Sequence, residues 1–240
     1  MVNLKCIHCQ SENIVRNGKT NNGKQRYLCN ECGKMSRDNP QPNGYLPEER
    51  EQILAAYQER SSPARLDAHL RGCAKHRFGL AQGKKTLMPE LAETLVLPNE
   101  SPILELDELW SFVLKKANKR WIWIALCRQT RQVVAFAIGS RSEATCKRLW
   151  EKIPAAFRVG HCFTDFWAAY QLVIPPEQHP AVGKESGETA HVERWNNTLR
   201  QRLARFVRKT LSFSKSDVMH EICLFLFLHR YNNELALSFV

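Results

Sequence analysis

The 240-residue sequence predicts an α/β protein with a small cysteine-held module at its N-terminus. Three observations lead there: two CxxC pairs within the first 32 residues, strand and helix patterns in ordered succession from Ile103 onward, and a basic excess gathered in one late segment.

The first module rests on Cys6-Ile7-His8-Cys9 and Cys29-Asn30-Glu31-Cys32, with nineteen residues between the pairs. Paired CxxC knuckles at that separation offer four thiolates that can converge tetrahedrally on one zinc ion. So short a stretch can hardly bury a core of its own, so metal binding would supply its folding energy. Lys5, Arg16, Lys19, Lys24, Arg26, Lys34 and Arg37 surround the knuckles with few acids nearby. Residues 1–38 therefore read as a zinc ribbon that meets nucleic acid, the alternative being a ribbon that only scaffolds or docks protein. A disulfide framework is the weaker reading of the four cysteines, because no signal peptide precedes them and nine cysteines is an odd total. His8 could replace a cysteine ligand, but four thiolates already fill the site.

Net charge of +11 and a pI near 9.4 point to a polyanionic partner or an acidic surface. Residues 194–216 hold seven Lys or Arg and no Asp or Glu, which locates the excess. The longest apolar run, Ile222 to Leu228, has seven residues and cannot span a bilayer. A soluble protein of the cytoplasm or nucleoid is expected.

The elements follow in order. Asp38 to Gly44 is rich in turn formers, so 39–46 reads as a linker. Pro47 opens a helix with Glu48, Glu49 and Glu51 in its first turn and Ile53, Leu54 and Tyr57 as its apolar stripe; Ser61-Ser62-Pro63 ends it. Residues 64–86 show no period, and a helix, a turn and an irregular basic stretch is the expectation there. Together 47–98 read as a helical segment. Ile103 to Trp110 is the first strand of the next unit, and Trp121–Cys127 with Gln132–Ile138 form a hairpin around Gln129-Thr130-Arg131. A helix from Ser142, its N-cap, to about Phe157 follows. A strand from His161 to Thr164 then ends at Asp165, and Trp167 to Leu172 reads as helix. After the loop from Pro175 to Gly187, a long helix runs from Ala190 to about Arg208, and an apolar one from Asp217 to Tyr231. Three strands, a helix, a fourth strand and then helices is the order of a ribonuclease-H-like α/β fold, here over 99–240.

Acids in that region bear on chemistry. On the first strand Leu104, Leu106 and Glu108 share one face, Glu105 and Asp107 the other. An acid in an apolar strand is costly unless paired, solvated or bound to metal. Asp165 lies at the end of the fourth strand. Glu193 lies on the long helix beside Asn197 and Arg200, while Val192, Trp195, Leu199, Leu203 and Phe206 make the buried stripe. Three carboxylates from two strands and a helix can hold two divalent ions that activate water or a DNA 3′ hydroxyl for in-line attack on phosphate. Glu105 and Glu108 are rivals to Asp107, and any one acid alone is more simply a surface or salt-bridged residue. Arg194, Arg200, Arg202, Arg205, Arg208 and Lys209 could merely solvate a helix. Yet without a compensating acid they repel one another, and a phosphate backbone offsets that repulsion.

The chain resembles transposases of the IS-one insertion-sequence family over nearly its whole length. The likeness is strongest in Leu106-Asp107-Glu108-Leu109-Trp110, in Thr164-Asp165-Phe166-Trp167-Ala168-Ala169-Tyr170, and in the run HVERWNNTLRQRLARFVRKTLSFSK from His191 to Lys215. It implies a catalytic Asp-Asp-Glu triad on Asp107, Asp165 and Glu193, two Mg²⁺ ions (or Mn²⁺), and cut-and-join chemistry at the element's own ends. It also implies structural Zn²⁺ on Cys6, Cys9, Cys29 and Cys32, then a helix-turn-helix that reads the terminal repeats. The DNA contacts expected are Arg194, Asn197, Arg200, Arg202, Arg205, Arg208 and Lys209. Partners are the double-stranded terminal repeats, target DNA and further copies of the chain, since two ends must be synapsed; no membrane is expected.

The departure lies in the helix-turn-helix. Where the family has a motif like RGLTRTFGV followed by TVSAWLK, this chain has Arg65-Leu66-Asp67-Ala68-His69-Leu70-Arg71-Gly72-Cys73 and later Arg77-Phe78-Gly79-Leu80-Ala81-Gln82-Gly83. Suitable codons for the observed stretch, read one base out of phase, spell the family motif. Residues 63–85 are thus expected to be translated out of the ancestral frame between compensating indels, with the reader lost and general DNA affinity kept. Two rivals to a transposase follow: a degenerate zinc-ribbon binder that inhibits intact copies, and a metal-dependent nuclease of the same fold.

Overall fold

A computed structural model describes residues 5–21, 23–38, 46–58, 74–180 and 183–239. The chain divides into two compact units, Met1–Glu49 and Arg50–Val240.

The first unit is a three-stranded antiparallel sheet of β1 (Ile14–Lys19), β2 (Gln25–Cys29) and β3 (Met35–Arg37), in that order. Gly23, at φ +80°, closes the β1–β2 turn in a conformation that an L side chain resists. Among its described residues only Cys6, Tyr27 and Cys29 are buried apolar groups. That is too little to fold on hydrophobic burial alone.

Helix α1 (Pro47–Gln58) spans the boundary, and the second unit continues with α2 (Ala74–Leu87). A four-stranded sheet follows, built from β4 (Leu104–Phe112), β5 (Lys119–Cys127), β6 (Val133–Gly139) and β7 (Cys162–Phe163). Their spatial order is β6-β5-β4-β7, antiparallel throughout except for the parallel β4–β7 pair. The interleaved helices are α3 (Glu143–Lys152), α4 (Ala168–Val173), α5 (Ala190–Arg202) and α6 (Asp217–Ala236). Leu104, Leu106 and Trp123 pack with Leu149 of α3 and Tyr170 of α4 on one face of the sheet. Leu109, Ile122 and Ile124 pack with Val192 and Leu199 of α5 and Phe227 of α6 on the other. The sheet is thus covered on both faces, and for that reason β5 and β6 read as continuous apolar runs instead of alternating ones. The result is a mixed α/β unit. No helix among the described residues is long and apolar enough to cross a membrane.

Several boundaries differ from the sequence expectation. The helix expected to reach Phe157 ends at Lys152, because Ile153 precedes Pro154 and takes extended dihedrals (φ −69°, ψ 124°); Ala155–Phe157 is a separate 3-10 turn. Ser142 occupies the N-cap of α3, but its hydroxyl bonds Ser140 Oγ and makes no cap hydrogen bond. The helix expected to reach Arg208 stops at Arg202, since Leu203 turns extended (φ −111°, ψ 102°) and the Ala204–Phe206 turn drives Phe206 into the core. Ser111 Oγ donates to the Arg205 carbonyl (3.2 Å), and Leu114 N–H to the Ser214 carbonyl (2.9 Å), so this basic stretch is laid along the end of β4. The last helix runs beyond Tyr231 to Ala236. Over 64–86, where a helix, a turn and an irregular basic stretch were expected, the described part is helical: α2 takes residues 74–87, with Ala81 fully buried and Lys85 paired to Glu221 of α6 at 3.0 Å. The Ser61-Ser62-Pro63 stop, the linker residues 39–45 and positions 63–73 of the segment expected to be out of frame lie outside the described residues.

Candidate functional site

In the first unit each CxxC closes the same local turn. The carbonyl of Cys6 accepts from Gln10 N–H and that of Cys29 from Gly33 N–H, both at 2.9 Å, with Gln10 and Gly33 at φ +62° and +66°. These two knuckles aim their sulfurs at one point. All four Sγ atoms lie within 4.8 Å of one another, with Cys6–Cys32 at 3.7 Å and Cys9–Cys29 at 3.5 Å. Tetrahedral Zn–S bonds of about 2.3 Å require sulfurs roughly 3.8 Å apart, so the donor set fits structural Zn²⁺. The N–H groups of His8 and Cys9 pull the Cys6 thiol down to about 6. At Cys9 the pull of the Ser11 N–H is outweighed by burial and the neighbouring thiols, which push that thiol up to about 12, so all four become thiolates only around a cation.

In the second unit a cleft of about 270 Å³ opens beside β4. Its position follows from strand length: β7 pairs only with Leu104 and Glu105, and Asp165 comes two residues after β7 ends. Asp107 and Glu108 from β4, Asp165, and Glu193 from α5 line this cleft with Asn196, Asn197, Arg141, Arg200 and Arg208. The triad expected from the sequence therefore meets in one place. Its carboxylates do not crowd as the four thiolates do; among the described residues only the cysteines converge to that degree.

Each acid on β4 has a distinct environment. Asp107 accepts from Asn196 Nδ2 at 2.7 Å, and burial pushes its carboxyl up to about 7, with the charges of Glu108 and Asp165 adding to the rise. Oxygen donors held under such mutual repulsion are what a hard divalent cation relieves. Glu105 is wholly buried and saturated. Its oxygens accept from Arg128 Nε (2.7 Å), His191 Nδ1 (2.6 Å), and the N–H groups of His191 (3.0 Å) and Val192 (3.1 Å). It thus caps the N-terminus of α5, one turn before Glu193 faces the cleft. Glu108 is equally committed: one oxygen takes Arg141 and the other accepts the Tyr170 O–H at 2.8 Å. The two rivals of Asp107 are both occupied by protein partners.

Asp165 accepts the Trp167 N–H at 3.0 Å, and Glu193 the Thr189 hydroxyl at 3.4 Å. Of the expected DNA contacts, Asn197, Arg200 and Arg208 reach the cleft. Burial, then the nearby Arg208 charge, lowers the Arg200 pKa, and Arg208 itself lies 5.3 Å from the centre of the Trp110 ring. The others lie elsewhere. Arg194 lines a separate hollow with Arg131 and Tyr231, Arg202 pairs with Glu234 at 3.8 Å, and Arg205 and Lys209 are not among the cleft residues. Arg141 and Asn196 belong to the cleft but carry no sequence signal: one is a lone arginine between serines, the other a neighbour of Trp195 on the buried side of α5.

Two family models and several known proteins match this chain. Residues 102–232 match the family model described as IS1 transposase, and residues 1–33 match that of the InsA N-terminal domain, a zinc ribbon. The iso-IS1n protein InsB of Shigella dysenteriae is 38% identical over 129 residues, 54% of this chain and 95% of that protein. An IS1 protein InsB of Shigella flexneri is 41% identical over 117 residues, 49% of this chain and 86% of the relative. The InsB of insertion element IS1 4 from Escherichia coli K12 is 37% identical over 139 residues, 57% and 81% of the two chains.

Proposed function

This chain belongs to the IS1 transposase family and is a DDE-type transposase, and from that premise we propose that its DNA cleavage and strand transfer are carried out in the cleft of Asp107, Asp165 and Glu193. The observation that carries the proposal is the meeting of these three acids, from a strand, the residues after a strand and a helix, in one cleft with Asn197, Arg200 and Arg208. The three carboxylates would hold two Mg²⁺ ions, or Mn²⁺. Such ions, when bound, activate the attacking water or 3′ hydroxyl and stabilise the leaving oxygen.

The remaining work belongs to the protein. Asn196 fixes the Asp107 carboxylate, Glu105 holds the start of α5 and so the position of Glu193, and Arg200 and Arg208 attract the phosphodiester backbone. The strand order β6-β5-β4-β7 with one parallel edge pair supports a ribonuclease-H-like class for 99–240. Ahead of it we assign 1–38 to a zinc ribbon, 39–46 to a linker and 47–98 to a helical DNA-binding segment. The expected substrates are duplexes carrying the terminal repeats and target DNA, synapsed by at least two copies of the chain.

The test is metal-dependent nicking and joining of DNA bearing the element's ends, with Glu193→Gln alongside. Joining that needs both Mg²⁺ and Glu193 supports the assignment, whereas hydrolysis without joining makes the protein a nuclease. Binding without either reaction makes it a DNA-occupying remnant.

A further inference from the structure

We propose that Arg141 is a ligand for a substrate phosphate in this cleft, and that Glu108 is the residue that positions it. The inference rests on the cleft being the place of reaction, and it adds a cation from an element outside the basic segment, the β6–α3 connection.

Glu108 is a buried acid with both oxygens engaged by protein donors. One oxygen accepts from both Nε and Nη2 of Arg141 at 2.5 Å, and the other accepts from Tyr170. The Glu108 side chain is 1% exposed and that of Arg141 is 35% exposed. The acid is hidden and the base is presented. Were neutralisation of Glu108 the whole purpose, the guanidinium would gain nothing from forming part of the cleft wall, yet it does so.

The guanidinium is also immobilised. It lies 3.9 Å from the centre of the Trp167 ring and 4.9 Å from that of Trp121. Its edge toward Glu108 is used, while Nη1 takes no part in the Glu108 contacts. A fork held by a carboxylate on one edge and indoles on its faces loses little freedom when its other edge meets a phosphate oxygen. With Arg200 from α5 and Arg208 from the following loop, three cations on three elements surround the three carboxylates. A polyanion approaching acids needs such a frame.

The test is a methylphosphonate scan. Duplex DNA bearing the element's end carries a neutral methylphosphonate at one position at a time around the cleavage site. Binding is measured with Ca²⁺ replacing Mg²⁺, for the wild type and for Arg141→Gln. A charge-assisted hydrogen bond predicts that one position costs the wild type roughly 10- to 100-fold in affinity. Arg141→Gln should already have lost that factor and lose nothing further there, while both proteins lose equally elsewhere. Glu108→Ala should reproduce the same position-specific pattern, which a general loss of structure would not. Equal losses at every position in the two proteins overturn the proposal. Should Arg141→Gln not fold, Arg141→Lys serves instead, since it keeps the charge without the fork. The Glu193→Gln control separates the two readings. Cleavage surviving that change removes the cleft as the reaction site, whereas additive losses in a protein that still needs Glu193 remove Arg141 alone.

Discussion

Replacing Glu105 with alanine should cost stability, and replacing Asp107 should not, although the two residues sit on the same face of the same strand. The Glu105 side chain is 0% exposed and accepts from Arg128, His191 Nδ1 and two backbone N–H groups of α5. Glu105→Ala leaves Arg128 with Glu188 as its remaining carboxylate, at 2.7 Å, and removes the acceptor of the part-buried His191 and buried Val192 N–H groups. Each N–H group that loses its acceptor costs about 1–3 kcal/mol, together a large part of the roughly 5–15 kcal/mol that holds a domain together. For a unit of this size, about 2–6 kcal/mol is a fall in Tm of roughly 4–24 °C. Glu105→Gln keeps one oxygen for the helix N–H groups and should fall between the two. The assay is thermal and urea unfolding of the full chain, with nicking measured at a temperature where each variant is folded. Loss of less than about 1 kcal/mol in Glu105→Ala would refute the capping role. So would abolished nicking with unchanged stability, which would move Glu105 from architecture to chemistry.

Asp107→Asn should abolish nicking while leaving the metal-free protein as stable as the wild type or more so. The folded carboxyl titrates near 7 against an ordinary 3.8, so the penalty is absent below about pH 4, grows through the interval and is complete above about pH 7. Wild-type stability should therefore fall relative to Asp107→Asn as pH rises from 4 to 7, by up to a few kcal/mol, and Tm against pH for the two proteins checks it. The ribbon should carry one zinc per chain by elemental analysis. Cys9→Ser should lower that ratio and open Arg16, Lys19, Lys24 and Arg26 to trypsin, while His8→Ala should leave it at one. Gly160→Ala should destabilise by roughly 2–4 kcal/mol in urea unfolding, because an added Cβ would overlap the Pro102 carbonyl.

How much could be read beforehand varied with the range of the interaction. The knuckles were legible because ligand spacing in a CxxC pair is local, and the four sulfurs do converge. The strands from Leu104 to Gly139 were legible because apolar runs and a turn at Gln129-Thr130-Arg131 bound them, with Arg131 at φ +60° in that turn. The end of α5 was not. The run after Arg202 keeps a helical period, but Arg205 is held by Ser111 of β4, and Ser214 by Val113 and Leu114 just beyond that strand. The segment from Ala74 was illegible for a like reason: its basic, glycine-bearing sequence is a weak helix former, and α2 packs against α6 more than a hundred residues away.

For the cleft, sequence by itself determined which residue types were present and that Asp107, Asp165 and Glu193 stood on elements able to meet. The strand pattern left Glu105 and Glu108 as rivals to Asp107, with a family likeness alone to favour the last. Only the tertiary structure separated them, giving Glu105 to the helix N-terminus, Glu108 to Arg141 and Tyr170, and leaving Asp107 with one amide partner and a raised pKa. It also brought in Arg141 and scattered the basic run that sequence presents as one face. The physical reason is that periodicity is written along the chain, whereas the behaviour of a charge depends on burial and on the sign of its neighbours within a few ångströms. Those neighbours come from strands and helices far apart in sequence.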